Sequence, residues 1–288
     1  MPKYTSFKPS AAKNLKSKST YFSTENAIVM GILNITEDSF FDGGKYKTEE
    51  AIINRCHKML EGGATIIDIG AQSSRPGAQI ISADQELSKL LPIIKLLKNK
   101  FPNIILSVDT YWAKVAEQCV KVGADIINDI SAGELDEKMV NTIFKLQVPY
   151  IIMHMQGTPS NMQKNPTYTN VTTEIISYFQ QKIKQLQSKG IHDIIIDPGF
   201  GFGKTLAHNY QLLNELEKFK QFGIPILVGT SRKSMIYKLL DNSPEEALNG
   251  TSITNTIALQ KGATILRVHD VKEALECIKI TTFAKNNC

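Results

Sequence analysis

The sequence contains few of the residues that mark secreted proteins or metal-bound scaffolds. Among its 288 residues there are 4 cysteines and 1 tryptophan. The cysteines lack the paired spacing of a zinc site or a disulfide framework, and they are Cys56, Cys119, Cys277 and Cys288. The first three fall within helical patterns, where cysteine packs as a small apolar side chain. No metal or disulfide scaffold is therefore indicated.

Long apolar runs and dense basic runs are also missing. No apolar stretch reaches the roughly 20 residues that cross a bilayer, and the N-terminus lacks the continuous apolar core of a signal peptide. The net charge of +5 is mild, and the lysines of residues 3–18 are scattered. This charge pattern disfavours nucleic-acid binding. We therefore predict a soluble cytoplasmic protein without a membrane or nucleic-acid partner.

Eight short runs rich in isoleucine and valine end in polar residues, and helical patterns lie between most of them. The runs are 29–35, 65–70, 105–110, 125–130, 150–155, 194–199, 226–231 and 264–270. Nearly continuous apolar runs are typical of strands buried on both faces of a parallel sheet. Eight strands alternating with helices predict a single α/β domain, a (β/α)8 TIM barrel over residues 27–288, after an N-terminal extension of residues 1–26. A doubly wound open sheet is the alternative, but it gives no reason for polar ends on all eight strands.

The stretch 194–204, IIIDPGFGFGK, predicts the floor of a binding site. Asp197 leaves a buried strand and enters a turn with three glycines. A buried carboxylate requires partners, and glycine lets a backbone approach a ligand closely. The spacing fits neither a P-loop, which needs glycine at Pro198, nor a dinucleotide fingerprint, which needs glycine at Lys204. A tight strand-to-helix turn would explain the glycines but not Asp197.

Polar residues at three of the strand ends favour a flat, nitrogen-rich ligand. Asp109, Asn128 and Asp197 follow strands three, four and six, where catalytic groups of such barrels lie. Two carboxylates and a carboxamide form an acceptor-rich wall that suits a ring edge with several N–H donors, such as an aminopyrimidinone. Capping of the following helices by Asp109 and Asn128 is the alternative interpretation.

The last two strand ends carry residues suited to a phosphate group. Ser231 and Lys233 follow strand seven, while Arg267 and His269 lie two apart in strand eight and face the same side. Phosphate sites in these barrels favour the loops after strands seven and eight. Asn34, at the end of strand one, is a candidate oxygen ligand for Mg²⁺, which often shares its coordination shell with substrate phosphates.

Two polar, glycine-containing loops follow strands one and two, at 36–44 and 72–78. Their length and polarity suit lids that order over a substrate, although plain surface loops are the alternative. In the second loop, Arg75-Pro76-Gly77 predicts a clamp for a substrate carboxylate, with an ordinary surface arginine as the rival interpretation.

Taken together, these segments resemble the dihydropteroate synthase family. The matching segments occur in family order and are GILNITEDSFFDGG (31–44), DIGAQSSRPGA (68–78), SVDT (107–110), GADIINDISAG (123–133), MHMQGTP (153–159), DPGFGFGKT (197–205), GTSRKS (229–234) and RVHDV (267–271). The resemblance implies a (β/α)8 transferase that joins 6-hydroxymethyl-7,8-dihydropterin diphosphate to 4-aminobenzoate in folate synthesis. It also implies a homodimer that uses Mg²⁺ and is a target of sulfonamides.

The resemblance also implies roles for individual residues. Those that would hold the pterin are Asp109, Asn128, Asp197 and Lys233, with Met153 and Phe202 beside it. Those that would hold the diphosphate are Asn34, Arg267 and His269, with Asn34 also at Mg²⁺. Those that would form the aminobenzoate site are Ser74, Arg75, Pro76, Ser231 and Phe40. Lys233, Arg267, His269 and Asp109 are thus the candidate catalytic residues.

The chain departs from the family pattern near the aminobenzoate side. Glu37 stands where proline is usual, Ala71-Gln72 replaces a common Gly-Glu, and Ser74 replaces a common threonine. These departures bear on affinity for aminobenzoate and for sulfonamides that mimic it, more than on the pterin pocket.

Three other functions fit part of the pattern. A methyltransferase barrel that passes a methyl group from methyltetrahydrofolate to a corrinoid protein would share the acceptor wall. A Schiff-base aldolase would use Lys233 as its nucleophile. A catalytically inactive pterin-binding or scaffold protein would keep the wall without turnover.

Overall fold

The computed structural model describes residues 14–17, 20–24, 26–35, 49–72, 81–158, 161–162 and 164–287. The strands are β1 (Asn14–Ser17), β2 (Thr20–Ser23), β3 (Ile28–Asn34), β4 (Ile66–Gly70), β5 (Ile105–Asp109), β6 (Ile126–Asp129), β7 (Tyr150–Met153), β8 (Ile194–Asp197), β9 (Leu227–Val228) and β10 (Ile265–Val268). The α-helices are α1 (Glu49–Glu61), α2 (Ala83–Lys100), α3 (Ala113–Lys121), α4 (Met139–Leu146), α5 (Val171–Ser188), α6 (Leu206–Asn214), α7 (Ser234–Tyr237), α8 (Leu248–Lys261) and α9 (Val271–Asn286). A 3₁₀ helix spans Leu216–Phe222.

The eight strands from β3 to β10 form one parallel sheet that closes on itself. Their order is β8-β7-β6-β5-β4-β3-β10-β9. Ile196 of β8 forms a parallel bridge with Ile226, one residue before β9, and its N–H donates to the carbonyl oxygen of Pro225 at 3.0 Å. The predicted (β/α)8 barrel is therefore confirmed, and the open-sheet alternative is wrong.

One apolar side chain from each barrel strand forms the floor of the interior. These residues are Met30, Ile66, Ile105, Ile126, Ile151, Ile195, Leu227 and Ile265. Because side chains alternate between the two faces of a strand, the next inward position lies two residues later. At that level several strands carry a polar residue, and these are Asp68, Ser107, Asn128, Asp197 and Arg267. The barrel therefore has an apolar floor below a polar layer that faces its C-terminal mouth.

Local sequence signals set where the helices begin and end. The hydroxyl of Ser82 accepts the Gln85 N–H at 3.3 Å, and the Gln85 side chain accepts the Ser82 N–H at 2.9 Å, a capping box at the start of α2. Helix α1 ends immediately before Gly62-Gly63. Gly63 adopts φ +95°, a left-handed conformation that glycine tolerates better than other residues.

The predicted N-terminal extension contains a β-hairpin, in which β1 pairs antiparallel with β2. That a separate extension ends at residue 26 stays a prediction. The predicted lid residues Glu37, Phe40, Ser74, Arg75 and Pro76 lie outside the described residues. No helix in the described part of the chain is both long and apolar enough to cross a membrane.

Candidate active site

Four strands contribute side chains to one hydrogen-bonded cluster at the C-terminal mouth of the barrel, and Arg267 is one of its members. Its Nε donates to Asp68 Oδ2 at 2.7 Å, and its Nη2 donates to Asp109 Oδ2 at 2.8 Å. Asn128 Nδ2 donates to the same Asp68 oxygen at 3.1 Å. The predicted residues Asp109, Asn128 and Arg267 therefore meet in one bonded cluster, and Asp68 lies at its centre.

Sequence reasoning noted Asp68 only as a polar strand end and gave it no role. Its side chain is 0% exposed, and Oδ1 has no hydrogen-bond partner within the described residues. A buried carboxylate requires a compensating charge, which the Arg267 guanidinium provides. The alternation in IIDIG could have indicated this position, because it puts Asp68 on the same inward face as Ile66.

Asp109 and Asn128 do not cap helices, so the capping alternative is wrong. The residue flanking the start of α3 is Trp112, and the Ala113 N–H is instead accepted by Asp136 Oδ2 at 2.8 Å. The residue flanking α4 is Lys138, far from Asn128 along the chain. Burial raises the pKa of Asp109 to about 7, although the Arg267 guanidinium favours its charged form.

Asp197 holds the glycine-rich turn that follows β8. Its Oδ1 accepts the N–H of Gly199 at 2.7 Å. Gly199 has φ +75°, and a Cβ there would collide with the carbonyl oxygen of His154, so this position requires glycine. Burial raises the pKa of Asp197, and the positive charge of Lys233 opposes that shift. The carboxylate therefore shapes the turn and remains part of the polar layer.

Lys204, the residue that breaks the dinucleotide fingerprint, supports this turn from beneath. Its side chain is 3% exposed, and Nζ donates to the carbonyl oxygens of Gly199 at 2.8 Å and Phe202 at 3.0 Å. Nζ also lies 3.2 Å from Nδ1 of His154. Burial lowers the pKa of Lys204 to about 7, and burial with the nearby lysine lowers that of His154 to about 3. Sequence reasoning missed this role.

Lys233 reaches the same turn from the loop after β9. Its Nζ donates to the carbonyl oxygen of Phe200 at 2.6 Å and lies 4.7 Å from the ring centroid of Phe202, a cation–π distance. Burial lowers its pKa to about 8, and the charge of Asp197 opposes that shift. A Cβ at Gly229 would lie 3.9 Å from Nζ, so the missing side chain leaves space beside the ammonium.

An apolar cluster borders these polar groups. It consists of Tyr111, Ile130, Met153, Met162 and Phe202. Met153 and Phe202 were predicted to lie near a pterin ring, and the structure brings both into one cluster. Tyr111 and Ile130 were missed, although each follows a polar strand end by two residues.

Ser231 and His269 pair between the ends of β9 and β10. The Ser231 hydroxyl oxygen accepts the His269 backbone N–H at 3.1 Å and lies 3.0 Å from His269 Nδ1. The direction of this second hydrogen bond depends on the ring tautomer, so Oγ and Nδ1 share one proton between them. Burial and then the Arg267 charge lower the pKa of His269 to about 4. The ring is therefore neutral near pH 7.

Asn34 ends β3 and is exposed. It pairs with Gly70 in the sheet, and Gly70 pairs with Asp109. A Cβ at Gly70 would lie 3.4 Å from the Asp109 Cβ and 3.9 Å from Asn34 Oδ1, so the absent side chain keeps the space between them open. Asn34 therefore lies at the rim of the mouth. Ser74, Arg75 and Pro76 belong to the part of the chain that the structure does not describe.

Comparison with known proteins agrees with this geometry. The family model described as pterin binding enzyme matches residues 30–269. Dihydropteroate synthase of Haemophilus influenzae is 44% identical over 254 residues, which cover 88% of this chain and 92% of that protein. The synthase of Bacillus subtilis is 41% identical over 258 residues, with 89% and 88% coverage. The chain belongs to the dihydropteroate synthase family of pterin-binding enzymes.

Solved structures of the family have the same fold. The Yersinia pestis dihydropteroate synthase, in a complex with a sulfonamide drug, has a TM-score of 0.90 at 41% identity and covers 94% of this chain and 99% of its own. The Xanthomonas albilineans synthase with 4-aminobenzoic acid has a TM-score of 0.88 at 34% identity, with 96% and 99% coverage. The resemblance stated from the sequence is therefore confirmed.

Proposed function

We propose that this chain condenses 6-hydroxymethyl-7,8-dihydropterin diphosphate with 4-aminobenzoate, giving 7,8-dihydropteroate and diphosphate for folate synthesis. The observation that carries the proposal is the polar layer at the barrel mouth, where Arg267 bonds Asp68 and Asp109 while Asn128 bonds Asp68. The membership in the synthase family supports the same reaction.

The pterin would lie against the acceptor wall and the apolar cluster. Asn128 uses its amide N–H on Asp68, which leaves its carbonyl oxygen to accept from a ring N–H. Asp197 and Asp109 supply carboxylate oxygens, and Lys233 supplies an N–H donor for a ring acceptor. Met153 and Phe202 would cover an apolar face of the ring.

The reaction begins when the C–O bond to the diphosphate breaks and its electron pair leaves with the diphosphate. N–H groups of Arg267 would stabilise that developing negative charge, and so would the Nε2–H of His269 in the tautomer whose Nδ1 accepts from Ser231. Two of the five Arg267 N–H donors bond Asp68 and Asp109. The remaining donors could bind the departing diphosphate, so one guanidinium would contact both the acceptor wall and the anion.

The electron-poor pterin that remains would be stabilised by Asp109 and Asp197. The arylamine nitrogen then forms the new C–N bond and loses a proton. The apolar cluster and closed lids would exclude water, which would otherwise capture the cation. No protein nucleophile is needed, and membership in the synthase family favours this reaction over the aldolase alternative.

The aminobenzoate would lie near Ser231 and the loop that carries Ser74, Arg75 and Pro76. The Xanthomonas relative was solved with 4-aminobenzoic acid, which supports this substrate. Gln72, one of the family departures, accepts the N–H of Ile81 through Oε1 at 2.9 Å. This bond joins the first residue of the predicted second lid, 72–78, to a residue just beyond it, so we assign Gln72 to holding that loop.

Mg²⁺ is proposed to reach the site together with the substrate diphosphate. The described residues contain no group of three or more His, Cys, Asp or Glu side chains suited to a metal. The amide oxygen of Asn34 fits an ion that is held mainly by phosphate oxygens and water. When bound, the ion would neutralise charge on the departing diphosphate.

A homodimer is proposed from the apolar surface of the last two helices. Ile253 of α8 is 52% exposed, and Ile280 and Phe283 of α9 are 69% and 72% exposed. Large apolar side chains grouped on one surface favour association, and the family resemblance suggests a second copy. Sedimentation at micromolar concentration giving the mass of one chain would contradict this proposal. A cytoplasmic location also stays a prediction.

The function is tested by incubating the chain with both substrates and Mg²⁺ while measuring diphosphate and dihydropteroate together. We expect equal amounts of the two products, and loss of turnover in excess chelator. Methyl transfer to a corrinoid protein without diphosphate release would instead favour the methyltransferase alternative. Tight pterin binding without any product would favour the inactive-protein alternative.

Replacing Asp197 by asparagine is expected to weaken binding of the pterin diphosphate by about 10- to 100-fold, since a charge-assisted hydrogen bond contributes roughly 1.5–3 kcal/mol. Calorimetric titration measures the change. Asp193→Asn is the matched control, because Asp193 precedes the same strand at its opposite end. Equal affinities for the wild type and both variants would count against a pterin contact by Asp197.

A further inference from the structure

Arg232 lies between two residues proposed for the site, Ser231 and Lys233, but the reaction described above gives it no role. Its guanidinium is bonded to Asp270 on two sides, from Nε to Oδ2 at 2.8 Å and from Nη2 to Oδ1 at 2.9 Å. Its Nη1 donates to the carbonyl oxygens of Pro244 at 2.9 Å and Glu245 at 2.8 Å. One side chain therefore joins the ends of β9 and β10 to the loop before α8.

Backbone pairing between β9 and β10 stops before these residues. Strand β9 pairs with β10 only from Leu227 to Ile265 and from Val228 to Leu266. The site residues that follow β9 lie beyond the last β9–β10 pair, whereas Arg267 and Val268 of β10 still pair with Met30 and Gly31 of β3. Beyond these pairs, side chains link the ends of β9 and β10.

Two neighbouring side-chain links span this region. Ser231 lies 3.0 Å from the His269 ring, and the next residues along, Arg232 and Asp270, form the two-sided ion pair. A bidentate guanidinium–carboxylate pair fixes orientation as well as distance, which a lysine in the same place would not do. The ion pair thus constrains the residue that directly precedes Asp270, His269.

The backbone of Arg232 points to the same role. Its φ is +53°, a left-handed conformation that is strained for a non-glycine residue. Such a conformation persists when surrounding contacts hold it. Here the Arg232 N–H donates to Thr251 Oγ1 at 3.1 Å, and the next residue, Lys233, flanks the start of α7. The strained turn directs Lys233 back toward the turn after β8.

We propose that Arg232 is a positioning residue for the synthase reaction. Through Asp270 it holds His269 where the diphosphate leaves, and through its own backbone it holds Lys233 toward the pterin. This inference rests on the proposed function. It assigns to Arg232 and Asp270 an effect on turnover, although neither needs to touch the substrate.

The ion pair is partly exposed, with side-chain exposures of 26% and 19%. Exposed ion pairs contribute little to global stability. Removing this pair should therefore lower kcat, because the strand ends move, while the melting temperature changes little. That difference separates a positioning role from a merely structural one.

The test compares Arg232→Met, Arg232→Lys, Asp270→Asn and the Arg232→Met/Asp270→Asn double variant in the full chain. Lys261→Met is the control, since it removes a different ion pair, 2.9 Å to Glu217, whose side-chain exposures are 32% and 45%. We expect kcat to fall at least tenfold in each of the two variants that remove the ion pair, Arg232→Met and Asp270→Asn. The double variant should be no worse than the singles, Arg232→Lys should recover only part of the activity, and Lys261→Met should match the wild type.

Unchanged kcat in Arg232→Met, or a fall that only follows the loss of folded protein by circular dichroism, would overturn the inference. If the wild type itself shows no turnover, the proposed function fails, and binding of inorganic diphosphate then tests the inference alone. Calorimetry should give weaker diphosphate binding to Arg232→Met than to Lys261→Met. Equal affinities would overturn the positioning role independently of the reaction.

Discussion

Replacing Arg267 by methionine is expected to abolish synthase activity and to lower the free energy of unfolding by about 3–5 kcal/mol at pH 8. The substitution removes the cation that bonds Asp68 and Asp109. Asp68 is 0% exposed, so water cannot replace the lost partner. Removing one member of a buried ionic cluster is strongly destabilising for this reason. Urea denaturation followed by circular dichroism measures the change.

Two further measurements separate the charge effect from lost packing. Adding Asp68→Asn and Asp109→Asn to the Arg267 variant should restore most of the stability, because neutral amides are easier to bury than unpaired carboxylates. Activity should remain absent. Arg232→Met is the comparison for an ion pair that is partly exposed, and its stability loss should be much smaller. An Arg267→Met variant as stable as the wild type at pH 8 would contradict this account.

Replacing Glu86 by glutamine is expected to remove a large part of the pH dependence of stability. Glu86 lies in α2 and is 1% exposed, and its Oε1 has no hydrogen-bond partner among the described residues. Its Oε2 accepts a bond from Thr110 Oγ1 at 3.3 Å. Burial and the charge of Asp109 raise its pKa to about 8 from an ordinary value of 4.5. The carboxyl is therefore protonated in the folded protein near pH 7.

The direction of the effect follows from the raised pKa. The stabilising contribution of a protonated Glu86 is fully present below about pH 4.5 and is lost as the pH rises towards 8. Between pH 5 and pH 8 the wild type should lose about 3 kcal/mol more than Glu86→Gln, at roughly 1.4 kcal/mol for each pKa unit. Taking the difference between the two proteins cancels the other titrating groups.

Urea denaturation of both proteins at pH 5 and pH 8 measures this difference. The exposed Glu137 provides the control variant Glu137→Gln, which should follow the wild type at both pH values. A difference between the wild type and Glu86→Gln that is the same at both pH values would show that Glu86 is not neutral in the folded chain.

Local patterns in the sequence were sufficient to predict the barrel. Isoleucine-rich runs without alternation indicated strands buried on both faces, and all eight were found. Glycines such as Gly62-Gly63, directly after α1, are local signals for a helix end. Polar residues at strand ends identified most of the site, because a parallel barrel brings all those ends to one mouth. These features depend on neighbours along the chain, so the sequence alone determined them.

The partners of the buried charges were decided only by the closed barrel. Asp68 and Arg267 are separated by 199 positions yet lie 2.7 Å apart, and nothing near Asp68 in sequence indicates that pairing. The pKa values of Lys204 and Glu86 are likewise shifted mainly by burial in the folded barrel, not by residues next to them in the chain. Periodicity specifies which face a side chain occupies, whereas the charge that lies opposite depends on how the whole sheet closes. The sequence thus determined which groups face the mouth, and only the tertiary structure decided how they are paired and protonated.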